Sequence, residues 1–111
     1  MAGVRAVLDL TDATWERHVP LDGRPALIQF WAPWSGPCYQ QTKIVDRLAE
    51  HFGDRARFFR VHVDHSADLA HRVGVSTVPY VVVLLRDIPV FQAGGLQPES
   101  GLQRLLYRLV E

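Results

Sequence analysis

Phe30-Trp31-Ala32-Pro33-Trp34-Ser35-Gly36-Pro37-Cys38 joins two segments of opposite periodicity. Upstream, Ala26-Leu27-Ile28-Gln29-Phe30-Trp31-Ala32 is a nearly continuous apolar run, the pattern of a strand covered on both faces, and Pro33 ends it. Downstream, from Ser35 or Pro37 to His51, the spacing turns helical: Ile44, Val45, Leu48 and Phe52 share one face, and Gln40, Lys43, Arg47 and Glu50 tend to the other. In an open α/β sheet, functional groups gather at the carboxyl ends of strands beside helix N-termini. Unpaired N–H groups there favour negative charge, a thiolate included. Cys38 falls in the first turn, a position where cysteines become reactive, although a lone cysteine in apolar surroundings is also a small buried hydrophobe. Spacing alone leaves both readings open.

The flanking sequence continues the alternation. Val4, Ala6, Leu8 and Leu10 alternate with polar or small residues and predict a short first strand. Thr11 is the expected N-cap of a helix with Asp12 and Glu16 in or near its first turn and Trp15 and Val19 on its buried face. Residues 20–25 read as a loop. Residues 58–64 predict a strand and residues 66–72 a short helix with Ser66 as cap. Gly74-Val75-Ser76-Thr77 is a break, and Pro79 precedes a central strand built on Val81-Val82-Val83. A tight turn near Asp87 leads to a strand at 90–93. Gly94-Gly95 breaks it, and residues 98–110 close with an amphipathic helix using Leu102, Leu105, Leu106 and Leu109. The order βαβαβαββα predicts an α/β protein with a central sheet and helices on both faces.

Composition narrows the function. The 111 residues fit one domain, and 48% hydrophobic with 22% charged residues is a globular balance. Lys plus Arg and Asp plus Glu are 12 each, without the basic excess that nucleic acid or an anionic membrane demands. One cysteine excludes an intrachain disulfide framework and a Cys-only zinc site. His18, His51, His62, His65 and His71 include no pair at the spacing of a zinc helix, so no metal is expected. The apolar run at 78–85 is too short to span a bilayer and the N-terminus shows no export signal, so a soluble cytoplasmic domain is expected.

The segment 30–38 resembles the thioredoxin active site, whose core is Trp-Cys-Gly-Pro-Cys, and the resemblance extends over nearly the whole chain. Val61-His62-Val63-Asp64 is similar to that family's third strand, Val73-Gly74-Val75-Ser76-Thr77-Val78-Pro79 to the segment before its cis-proline, and Gly94-Gly95 to its late glycine turn. The resemblance implies a thioredoxin fold, a mixed five-stranded sheet flanked by four helices, as a single domain over residues 1–111. It also implies a protein-disulfide reductase lineage without cofactor or metal.

Departures from the family pattern bear on activity. Ser35 stands where the family has its nucleophilic cysteine, and Cys38 is at the resolving position. A hydroxyl forms no mixed disulfide, so Ser-x-x-Cys cannot cycle between dithiol and disulfide. Gln29 replaces a buried aspartate that moves protons in relatives; an amide hydrogen-bonds but is no general base. The plain alternative for Gln29 is a buried amide satisfied by backbone or water. Arg60, where the family often has lysine, is expected at the surface or rim. Ser35 is expected to cap the helix with its side chain. Pro79 is expected to be cis, leaving Val78 free to pair with an extended segment, with Trp34, Pro37, Val78 and Gly94 lining a shallow groove. Trp31 is expected inside and Trp34 exposed, and Tyr80 in the core.

The expectation is thus a disulfide-reductase-lineage protein, redox-inactive or monothiol at Cys38. The alternative is a redox-degenerate module binding an extended protein segment, with or without a cysteine, around Trp34 and Pro79. Whether it is an enzyme stays open, and a thioredoxin reductase becomes a partner only with Ser35→Cys.

Overall fold

In the computed structural model, which describes residues 7–19 and 22–110, the chain runs β1 (Val7–Leu10), α1 (Trp15–His18), β2 (Pro25–Trp31), α2 (Gly36–Phe52), β3 (Arg57–His62), α3 (Ala67–Val73), β4 (Tyr80–Leu85), β5 (Ile88–Gly94) and α4 (Glu99–Val110). The strands form one sheet in the order β1-β3-β2-β4-β5. β2 lies at its centre, parallel to β3 and antiparallel to β4, and is buried along all but its last residue. Alternate side chains of β2 feed two cores, which is why its apolar run is nearly continuous, interrupted only by Gln29. Ile28 and Phe30 pack with Phe59, Val61, Val82 and Leu69 on the α1 and α3 side. Leu27 packs with Phe58, Val81, Val83, Val45, Leu48, Leu102 and Leu106 on the α2 and α4 side. Each such fully buried aliphatic or aromatic side chain contributes about 1.5–3 kcal/mol relative to exposure.

Several boundaries differ from the sequence reading, each for a local reason. Val4, Ala6 and Pro20 lie outside the described residues. β3 stops at His62 because the N–H groups of His65 and Ser66 both turn back onto the His62 carbonyl. α1 is a single turn preceded by Thr14, and Thr11 does not cap it. Instead the Thr11 N–H is taken by Thr14 Oγ1 at 3.0 Å, and the Thr11 carbonyl accepts from Thr14 and Trp15. Ser66 holds the N-cap position of α3 but makes no side-chain capping bond. That task falls to Asp12, whose Oδ1 accepts the Leu69 N–H at 2.8 Å across 57 residues of sequence. α3 ends at Gly74, whose φ of 91° is the left-handed conformation that closes helices at glycine. Arg86 and Asp87, both at positive φ, form the tight turn between β4 and β5. β5 is longer than the stretch 90–93 suggested.

Candidate functional site

The junction between β2 and α2 winds up through two backbone bonds, Ser35 N–H to the Ala32 carbonyl and Cys38 N–H to the Ser35 carbonyl, both 3.2 Å. Pro37 lies in the first helical turn, where a missing N–H costs nothing. Ser35 occupies the N-cap position of α2, yet its side chain makes no capping bond; its carbonyl, not its hydroxyl, meets the first turn. Ser35 is nearly buried at 8% exposure and Cys38 has none, while Gly36 and Pro37 are exposed. Trp34 is 69% exposed, its indole N–H donating to Asp64 Oδ2 at 3.1 Å. Trp31 is half-buried, edge-on to the His62 ring. Tyr39, not singled out in the sequence, is a second exposed aromatic; its hydroxyl donates to the Pro33 carbonyl at 2.9 Å and closes the loop over itself.

Beneath the junction lies a hydrogen-bonded floor. Gln29 is fully buried, and its Nε2 donates to the Cys38 carbonyl at 3.3 Å and to Thr42 Oγ1 at 3.0 Å. Its Oε1 accepts from Arg60 Nε at 2.9 Å, and Arg60 also donates to Asp46 Oδ1 at 3.1 Å. Arg60 is therefore not a free rim residue: it is directly opposite Gln29 in the β2–β3 register and reaches inward to it. A guanidinium only donates, so it holds the amide oxygen towards itself and leaves the amide nitrogen facing Cys38. The floor below the cysteine offers a donor and no proton acceptor on Gln29.

The Val78–Pro79 peptide bond is cis. Pro79 is buried, Val78 is half-buried, and the Pro79 carbonyl accepts the Gly95 N–H at 2.8 Å. A cavity of about 160 Å³ is lined by Trp34, Val63, Ala70, Val75, Thr77 and Val78, among others. Trp34 and Val78 both line it, and Ala70 brings α3 into its wall. Pro37 and Gly94 are not in its wall. Gly94 instead packs against Thr77: a Cβ there would lie 2.7 Å from the Thr77 methyl. Tyr80 is half-buried, edge-on to Phe30, with its hydroxyl donating to Gln92. A larger hollow of about 520 Å³, lined by Trp15, Glu16, Arg72 and Asp87, sits by the β4–β5 turn, separate from the junction residues. Among the described residues, no group of three or more His, Cys, Asp or Glu side chains could hold a metal ion, and no helix is long and apolar enough to cross a membrane.

A mixed sheet whose central parallel strand delivers a lone cysteine to a helix N-terminus, beside a cis-proline loop, defines a thioredoxin-fold protein. The family model described as Thioredoxin matches residues 6–108, and the chain belongs to the thioredoxin family, a thiol–disulfide oxidoreductase lineage. It is 33% identical over 104 residues to "Thioredoxin M4, chloroplastic" of Arabidopsis thaliana, covering 94% of this chain and 54%, about half, of that protein's length. It is 30% identical over 97 residues to "Thioredoxin 1" of Synechococcus elongatus, covering 87% of this chain and 91% of the relative. Among solved structures, a mutant thioredoxin from Halobacterium salinarum superposes with a TM-score of 0.87 at 32% identity, over 100% of this chain and 96% of that one.

Proposed function

We propose that this chain is a thioredoxin-family protein that has lost dithiol turnover and uses the surface around Trp34, Val78 and Pro79 to bind an extended segment of a partner protein. The observation that carries the reading is the state of its only sulfur nucleophile. Cys38 has no exposed surface, and Ser35, three residues before it and itself only 8% exposed, carries a hydroxyl where dithiol exchange would need a second sulfur. Thiol–disulfide exchange requires a thiolate that reaches the disulfide and a second thiol that resolves the mixed disulfide. Neither requirement is met by a hydroxyl above a buried thiol. Burial also weighs against glutathionylation at Cys38, because reactivity needs access. The orientation of Gln29 adds support, since the floor presents a fixed donor where turnover would need a base. The exposed Trp34 and the cavity it shares with Val78 support retained binding.

Insulin reduction with a dithiol donor tests the first half. The chain as it stands should give no rate above the donor alone, and Ser35→Cys should give one. Repeated turnover by the unaltered chain would refute the proposal.

A further inference from the structure

The exposed tryptophan of the groove is fastened through a route that uses neither Cys38 nor the floor. Its indole N–H donates to Asp64, and the backbone N–H of Asp64 donates to Nδ1 of His62 at 3.2 Å. A ring nitrogen accepts a hydrogen bond only while it carries no proton. The geometry therefore uses one state of His62, bare at Nδ1. The His62 ring lies flat on His65, centroids 3.8 Å apart and planes 11° from parallel, and edge-on to Trp31 at 4.8 Å. Asp9 comes from β1 and lines the same hollow as His62 and His65; Asp64 and His65 come from the turn after β3. From β2 only the uncharged Trp31 packs on it, and Arg60, two residues earlier on β3, is engaged by Gln29 and Asp46.

We propose that His62 is the positioning residue for Trp34, and that protonating His62 releases the indole. A proton at Nδ1 sets donor against donor, so the Asp64 N–H loses its acceptor. The ring then carries charge against a second imidazole, an unfavourable stack once both are protonated. The new imidazolium seeks a carboxylate. If it pairs with Asp64 it competes directly with Trp34 for the same group, and if it turns to Asp9 it abandons the Asp64 backbone; both routes undo the fastening. Trp34 is held while His62 is bare at Nδ1 and freed once that nitrogen carries a proton. Any change in partner affinity with pH rests on the groove reading above; the fastening itself does not.

Proton–nitrogen correlation spectra of the full chain test this, with the Trp34 indole signal assigned by its disappearance in Trp34→Phe. In the unaltered chain that signal should move reversibly between pH 8 and pH 5. In His62→Asn, whose side-chain oxygen can accept the same N–H two residues on without titrating, it should stay at the pH 8 position. Asp64→Ala should place it near the acid position at every pH. A Trp34 signal indifferent to pH, the same transition in His62→Asn, or a surviving transition in Asp64→Ala overturns the proposal. Loss of partner binding with this transition intact would count against the groove alone.

Discussion

The floor and the rim of the candidate site differ in how they are held. Below, Gln29, Thr42, Arg60 and Asp46 interlock, and the buried amide has partners at both ends. Above, Trp34 and Tyr39 are exposed, Trp34 donating to Asp64 and Tyr39 to the Pro33 carbonyl at the loop surface. A buried network that is fully partnered is rigid and costly to disturb, whereas exposed single bonds are cheap to exchange. The contrast teaches that the buried part of the site is tied up in its own hydrogen bonds, while the exposed part remains adjustable.

The sharpest way to break that contrast is Ser35→Cys. Turnover should rise from the donor background, yet stay about 10²-fold or more below an M-type thioredoxin assayed alongside, the usual scale of a missing general acid–base group. Parity in the insulin assay would mean the floor does not limit the chemistry. Next in size is Gln29→Leu, which strips partners from Arg60 and Thr42. We expect a loss of about 1–3 kcal/mol in guanidinium unfolding, the range for stranded buried polar groups; a loss under about 0.5 kcal/mol would show the floor to be slack. Gly94→Ala drives a methyl into Thr77 and should cost about 1–2 kcal/mol, as overpacking does. Combining it with Thr77→Ser, which removes the obstructing methyl, should recover most of that loss, and strict additivity of the two changes would refute the clash. Smallest in stability is Trp34→Phe, expected within about 0.5 kcal/mol of the unaltered chain because the side chain is exposed. A large drop in its unfolding midpoint would move Trp34 from rim to core.

Element order was legible because it rests on periodicity, and periodicity is what burial imposes on each strand and helix. The run 26–32 reads as central because the sheet covers it twice, and Leu102 and Leu106 mark the buried stripe of α4. The caps were less legible. Thr11, Ser35 and Ser66 all have suitable chemistry, but none caps with its side chain, and Asp12 reaches α3 from a distant loop. Capping residues near in sequence compete with others near only in space. Arg60 was misplaced for a related reason: its partner is 31 residues away. A clue existed, since Gln29 is the one polar residue of β2 and Arg60 lies directly across from it on β3, between Phe59 and Val61. Around the cis-proline, Trp34 and Val78 line one cavity while Gly94 faces the Thr77 methyl instead, a packing choice that depends on side chains distant in sequence.

The strand order has a consequence for synthesis. β1 and β2 are not hydrogen-bonded to one another; each pairs with β3, Val7 facing Phe58 and Ala26 facing Arg57. A nascent chain that has reached the end of α2 therefore holds two strands with no template between them. The apolar segment 26–32 gains its first strand partner only when residues 57–62 have left the ribosome. Closing such distant pairings is slow compared with forming a helix, so α2 is the part of this protein best placed to organise first and shelter that segment.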